Sequence, residues 1–451
     1  MLNTLRPSLS LRHVLHVAAP LTLCASLVAC AKDEQPTAQQ QAPVNAAHAE
    51  APQSPAVFWP QPVQWQQPGT EQQAFSDSLS PSAITSVANQ VADWQLSQYD
   101  LRSNMMRAEG RPSGIPQGWM YATWQIGLLD WAEASQQPAY EQAVFNASAV
   151  NLWQLGPRIH HADDHAMGAV YLKLYEKYGD AHKIKHLTDT FDQVLENPAD
   201  NSLAFDDDDK YLQPLAYRDF DDPACTLRWC WADAIFMAPP VWAELARVSG
   251  DEKYLEFMDQ EFWVTTDYLY NTDEKLYLRD SRYFERKDDQ GRLIYWGRGN
   301  GWVLAGIART LHALPDHFAA KERYQSLFVE MSERLVDLQQ KDGSWPSSLL
   351  EIEQQSPPES SGTGLLVYAL AWGVNNGLLT EQKYRDAVAR GWSSLVDSVH
   401  PNGKLGWVQQ VAFAPGSATA DDTQLYGTGA LLLAASEVIR MTGEQRAEVA
   451  Q

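Results

Sequence analysis

From about residue 83 the chain reads almost wholly as helix. Apolar residues recur at three- and four-residue spacing, and the strict alternation of a strand is scarce. The runs are of two kinds. One kind is apolar nearly all round and opens with a polar or glycine-containing cluster; such runs begin near Trp119, Asp163, Asp233, Gly299, Ser361 and Asp422. Between them lie amphipathic runs with one charged face, at 83–97, 140–155, 181–196, 254–269, 321–339 and 381–399. Helices apolar on every side are buried, whereas amphipathic ones lie outside them. Six of each in alternation predict an all-α fold, an (α/α)6 barrel of six helical hairpins with the apolar helices as its inner ring. An open solenoid of helical pairs is the alternative, but the first run lacks a polar capping face and the repeats vary in length.

If the ring closes, all six inner helices run in one direction and their opening clusters meet at one end. That brings together Trp119, Asp163, Asp164, His165, Trp231, Asp233, Arg298, Asn300, Trp302, Ser360, Ser361, Thr363, Asp421 and Asp422. Six helix N-termini direct partial positive charge at the same place, which favours an anionic ligand. An aromatic cup holding carboxylates, an arginine and amide donors suits an acidic sugar. Within it, Asp233 stands in Arg228-Trp229-Cys230-Trp231-Ala232-Asp233-Ala234-Ile235-Phe236-Met237, one carboxyl among three aromatic side chains. Desolvation raises the pKa of such a group and fits it to act as a general acid. Read singly, it is more readily a helix N-cap.

Composition narrows the class. With 451 residues, 45% of them hydrophobic, the chain can bury a sizeable core. A formal net charge of −23 argues against nucleic acid as a partner, since its binders carry basic patches. The 17 tryptophans fit a sugar site but also a helical core. No paired Cys or His cluster suggests a metal, and no cofactor is expected. Asp206-Asp207-Asp208-Asp209 lacks the Gly and closing Glu of a calcium loop and reads as a solvated turn. His160 and His161 read as loop residues, and Asp421-Asp422-Thr423 as a helix cap.

The N-terminus reads as an export signal. Arg6 and Arg12 precede an apolar run, 14–28, too short for an ordinary membrane span. It ends in Leu27-Val28-Ala29-Cys30, which is similar to a bacterial lipoprotein cleavage box with Cys30 as the acylated residue; an ordinary cleaved signal is the alternative. With no Asp directly after Cys30, the expected address is the outer membrane, facing the periplasm, with the lipid as the only membrane contact. Residues 31–75, rich in Gln, Ala and Pro, read as a flexible tether to a catalytic domain over 76–445. Cys225 and Cys230, five apart in an oxidising compartment, are either a short-loop disulfide or two buried thiols.

Four segments carry a family resemblance: Trp231-Ala232-Asp233-Ala234-Ile235-Phe236-Met237, Trp296-Gly297-Arg298-Gly299-Asn300-Gly301-Trp302, Ala162-Asp163-Asp164-His165-Ala166-Met167-Gly168 and Ser361-Gly362-Thr363-Gly364. Through these segments, the first two being specific in their order and spacing, the chain resembles glycoside hydrolase family 105, the unsaturated rhamnogalacturonyl hydrolases, and the related unsaturated glucuronyl hydrolases of family 88. The resemblance implies hydrolysis of the oligosaccharides left by polysaccharide lyases, which end in a 4,5-unsaturated uronic acid. It implies hydration of the C4–C5 double bond, with Asp233 as the single acid/base, protonating C4 and then deprotonating the water that adds to C5. It places the second, substrate-holding Asp on the Asp163–Asp164 pair, with Asp164 favoured. Arg298 is implied as partner of the uronate carboxylate and Trp302 and Trp231 as stacking rings, and Trp119, Asn300, His165, Ser361 and Thr363 join the substrate-binding set. One departure is Tyr277-Leu278-Arg279-Asp280-Ser281-Arg282, where many members carry a His after the aromatic. There Arg279 and Arg282 suggest a more anionic, sulfated substrate. Two other readings stand beside this one: an inverting glycosidase using Asp164 and Asp233 as its pair, and a non-catalytic lipoprotein that captures acidic oligosaccharides.

Overall fold

The computed structural model describes residues 75–100, 105–106, 114–205, 223–351 and 356–449, with side chains to 443, all within one compact unit. Cys30, expected to carry lipid, the stretch 31–74 expected as a tether and the acidic run 206–209 lie outside the described residues.

The inner helices are α2 (Trp119–Ala134), the split pair α4 (Ala162–His165) and α5 (Gly168–Tyr178), the split pair α7 (Ala234–Met237) and α8 (Pro239–Ser249), α10 (Gly297–Ala313), α12 (Ser360–Asn375) and α14 (Leu425–Val449). The outer helices are α1 (Pro81–Ser97), α3 (Pro138–Val150), α6 (His182–Glu196), α9 (Lys253–Leu269), α11 (Lys321–Asp337) and α13 (Gln382–Asp397). Packing runs α2 to α5 to α8 to α10 to α12 to α14 and back to α2, so the ring is closed. Each outer helix lies on an inner one, α1 on α14 and the others each beside the inner helix that precedes it in the chain. Two short antiparallel pairs interrupt the helices, β1 (Tyr99–Asp100) with β2 (Met105–Met106) and β3 (Tyr270–Asn271) with β4 (Leu276–Tyr277).

The sequence explains both layers. Every residue of α12 from Ser360 to Val374 is buried, as expected for a helix walled on all sides, whereas α6 and α11 bury only one stripe. Closure rests on close backbone approach. A Cβ on Gly429 of α14 would stand 2.4 Å from the Thr123 carbonyl oxygen of α2, and one on Gly306 of α10 would stand 2.3 Å from that of Ile235. No side chain fits at either place, so these glycines set the spacing of the inner ring. Deeper in the ring the inner helices exchange ions: Asp130 of α2 receives Lys173 of α5 at 2.5 Å and Arg309 of α10 at 3.7 Å.

Asp233 does not begin one long helix, as its apolar sequel suggested. Pro239 and Pro240 supply no amide hydrogens, so α7 ends at Met237 and the chain restarts as α8.

Candidate active site

The inner N-termini do meet. Trp119, opening α2, packs edge-on against Trp302 of α10 at 6.0 Å and tilted on Tyr426 of α14 at 5.0 Å. Phe236 of α7 reaches the same Trp302 at 4.8 Å, and Arg298 of α10 reaches Ser361 of α12 at 3.5 Å.

Asp233 stands immediately before α7 with helical backbone angles, and its side chain caps nothing. The cap reading therefore fails. Its carboxyl is buried, and Oδ2 has no hydrogen-bond partner among the described residues. Burial raises its pKa, against the pull of the Arg279 and Arg298 charges, while Asp280 pushes in the same direction as burial. The loop that carries it is pinned on both sides. The Cys225–Cys230 disulfide closes the approach, Arg228 grips Glu261 through two bonds of 2.9 and 2.7 Å, and Thr265 donates to the Trp229 carbonyl at 2.6 Å. The Ala232 amide then donates to the carbonyl of Arg279 at 2.8 Å, which sets the Arg279 segment beside the acid.

The acidic pair on α4 divides its work. Asp164 is held by Arg158, whose Nη2 lies 2.6 Å from Oδ1 and whose Nε and backbone amide lie 3.2 and 2.8 Å from Oδ2. Asp163 is the member whose carboxyl feels Asp233 and Arg279, and burial leads in pushing it up to about 7. Asp164, favoured as the residue facing substrate, is thus tied to Arg158, and it is Asp163 whose carboxyl feels Asp233.

Other residues expected at the substrate have partners within the protein. Arg298 is 1% exposed, and its terminal nitrogens donate to the carbonyls of Gln409 at 2.7 Å and Gln410 at 3.0 Å. Its two terminal nitrogens are taken by backbone while its Nε has no acceptor among the described residues, and its plane lies over Trp296 and Tyr426 at 4.5 and 5.0 Å. Asn300 clamps β4 to α10, accepting from the Tyr277 amide at 2.8 Å and donating to its carbonyl at 3.0 Å. His165 is buried between the Ile159 carbonyl at 2.8 Å and the Trp242 indole at 3.3 Å, and desolvation lowers its pKa to about 4. The Ser361 hydroxyl donates to Glu359 at 2.5 Å, and that of Thr363 accepts from the Trp345 amide at 3.1 Å; both belong to the start of α12. Ser360 likewise donates to the Gly406 carbonyl, and Asp422 binds the Thr419 amide and hydroxyl rather than capping α14. Trp302 is 1% exposed, so its faces are taken by protein, and Trp231 is buried against His161 at 4.9 Å. Trp119 is the ring of the three left half-buried.

Three features were missed or only half seen. His161 was read as loop, yet its ring caps the Asp163 amide at 3.2 Å and packs on Trp231; burial keeps it neutral. Arg279 stands 3.6 Å from Asp233, Nε to Oδ2, with its Nη1 on Asp280 at 2.6 Å. Phe205 and Phe413 flank Arg279 and Arg282 from distant parts of the chain. No local spacing in the sequence marks either ring. Among the described residues no group of three His, Cys, Asp or Glu is placed to hold a metal ion.

A closed helical ring, with a desolvated acid, a second acid and a guanidinium at its mouth, defines a helical-barrel carbohydrate hydrolase. The chain belongs to glycosyl hydrolase family 88, whose model matches residues 87–442. It is 39% identical over 367 residues to an unsaturated 3S-rhamnoglycuronyl hydrolase of an Alteromonas species, covering 80% of this chain and 88% of that one. A protein of the same name from Formosa agariphila is 36% identical over 334 residues, 72% of this chain and 85% of the relative. Among solved structures, a glycosyl hydrolase family 88 protein from Bacteroides vulgatus superposes with a TM-score of 0.68 at 24% identity, over 80% of this chain and 99% of that one. A possible family 105 member from Salmonella enterica superposes at 0.63 with 15% identity, over 80% and 94%, which speaks for the fold alone.

Proposed function

We propose that the protein is an unsaturated uronyl hydrolase that removes the 4,5-unsaturated uronic acid from the non-reducing end of lyase-generated oligosaccharides. The observation that carries the reading is Asp233, a buried carboxyl with an unpartnered oxygen, raised in pKa and set among rings at the mouth of the barrel. Protonated, it donates its proton to C4 of the double bond. As carboxylate, it then takes a proton from the water whose oxygen bonds to C5, which restores the acid. The two transfers are sequential, so one carboxyl serves both. The hydrated sugar is a hemiketal at C5, which opens and releases its neighbour. A glycosidase that attacks the anomeric carbon would need two carboxyls flanking the bond. Asp164, its proposed partner, is tied to Arg158 through both oxygens. Asp163, about half protonated at pH 7, can both donate to and accept from a sugar hydroxyl, and Trp119 offers the ring for stacking.

The two relatives are named unsaturated 3S-rhamnoglycuronyl hydrolases, and by likeness we take the uronyl group removed here to be joined to a rhamnose, as in an ulvan or a rhamnogalacturonan fragment. Polysaccharide lyases act upstream. The Leu27-Val28-Ala29-Cys30 box supports a lipid anchor on Cys30 at the outer membrane, with the enzyme in the periplasm. The decisive test is addition of a lyase-made unsaturated disaccharide while following the ultraviolet absorbance of the double bond. Decay supports hydration; release of an unsaturated monosaccharide with the absorbance intact refutes it.

A further inference from the structure

We propose that Arg279 is the docking group for an anionic substituent of the substrate, a carboxylate or a sulfate ester, and that it leaves Asp233 to take it. The inference rests on the uronyl hydrolase reading and adds which residue recognises the anion.

The argument begins with a local imbalance of charge. Arg279 and Arg282 share one carboxylate, Asp280, which takes Arg279 Nη1 at 2.6 Å and Arg282 Nε and Nη2 at 2.9 and 2.8 Å. Two guanidiniums and one carboxylate leave a net positive charge. Solvent does little to offset it, because the side chains are 12% and 3% exposed. The walls are aromatic: the Arg282 guanidinium lies 4.2 Å from the Phe205 ring centre and 5.5 Å from that of Phe413, and Arg279 lies 5.9 and 5.7 Å from the same rings. Rings attract a cation but accept none of its in-plane N–H bonds.

Those bonds are also incomplete. Among the described residues, Arg279 Nε and Arg282 Nη1 are buried donors without an acceptor, and Asp233 Oδ2 is a buried acceptor without a donor. Arg279 Nε and Asp233 Oδ2 face one another at 3.6 Å, close enough to feel each other's charge and too far for a hydrogen bond. Buried polar groups in a native fold are rarely left unpaired without a use. Of the other guanidiniums whose charge reaches the acids, Arg158 is taken by Asp164, and Arg298 has both terminal nitrogens on the Gln409 and Gln410 carbonyls, with only its Nε unmet. Arg279 is the one whose unmet Nε stands 3.6 Å from the unmet Oδ2 of Asp233.

The docking has a consequence for catalysis. Asp233 is faced by Arg279 and Asp280 from the segment after β4, by Arg298 from α10 and by Asp163 from α4. An anion seated on Arg279 offsets the positive charge that most strongly favours the carboxylate form. The acid then holds its proton to higher pH in the complex than in the free enzyme, so the alkaline limb of kcat lies above that of kcat/KM.

The test uses the full-length enzyme with two unsaturated uronyl disaccharides, one carrying a sulfate on the second sugar and one without it. Arg279→Gln is expected to raise KM about tenfold or more on the sulfated substrate and to draw the two alkaline limbs together. An equal rise on the unsulfated sugar identifies the uronate carboxylate as the docked anion, whereas a rise confined to the sulfated one identifies the sulfate. KM unchanged on both overturns the proposal. Should Arg279→Gln fail to fold, Arg279→Lys keeps one charge and loses the fork, and an unchanged KM in that variant overturns it equally. If wild type consumes neither disaccharide, the proposed function falls and this inference with it. If wild type is active and Arg279→Gln matches it, the Arg279 assignment alone falls.

Discussion

Asp233→Asn replaces the acid with an amide of the same shape, and the structure fixes what should follow. Position 233 is buried, and its Oδ2 makes no hydrogen bond among the described residues, so the exchange removes little binding. It does remove the proton that C4 must receive and the base that the water needs. One positioned acid or base contributes roughly 10²- to 10⁴-fold. With the same group serving both halves of the hydration, kcat should fall about 10⁴-fold, or roughly 5 kcal/mol of activation free energy. KM should stay within about twofold of wild type. The fold should not suffer, because the native site already resists ionisation of this carboxyl, so the melting temperature is expected to hold or rise. The assay is decay of the double-bond absorbance on an unsaturated uronyl disaccharide, with calorimetric melting alongside. A variant that melts like wild type and keeps kcat within about tenfold of it would refute the assignment of the acid.

Other expectations follow from the same geometry. Asp163 is raised from 3.8 to about 7, so its ionisation in the fold is unfavourable: the contribution is absent below about pH 4 and costs stability progressively as pH rises toward 7. Asp163→Asn should therefore be more stable than wild type by about 2 kcal/mol at pH 8 and equal to it at pH 4, as read from urea melts; equal stability at both pH values would contradict the burial assigned to it. Arg158→Ala leaves Asp164 buried without its partner and should destabilise by about 3 kcal/mol in the same melts. Trp302→Ala should lose about 3–5 kcal/mol of stability through lost packing, whereas Trp119→Ala should raise KM with a smaller loss of stability; the reverse pattern would return Trp302 to the sugar. Serine at Cys225 and Cys230 releases a six-residue loop and should cost about 2 kcal/mol in thermal melts, with a fall in kcat if the disulfide holds the Asp233 loop in place.

What the chain determined by itself was the periodic part of the molecule. The apolar runs that open at Trp119, Gly299 and Ser361 could only be buried helices, and their alternation with charged-face runs left a two-layer ring as the economical packing. Asp233 was legible for the same reason, because an acid flanked by Trp229, Trp231 and Phe236 has nowhere to be but in an apolar wall. Tertiary structure decided how each polar side chain at the mouth is used. The resemblance marked Arg298, Asn300, His165 and Ser361 as one set, and the fold gave each a neighbour that no local pattern encodes: the carbonyls of Gln409 and Gln410, the edge of β4, the Trp242 indole and Glu359. Asp163 and Asp164 are adjacent in sequence and differ only in which way the first turn of α4 points them, one to Asp233 and one to Arg158. The pairing of Arg279 with Asp233 depends on a single backbone bond from Ala232 to the Arg279 carbonyl, across 47 positions of chain. Hydrophobic periodicity is a property of neighbours in sequence, whereas charge compensation is settled between groups that only closure of the ring makes neighbours in space.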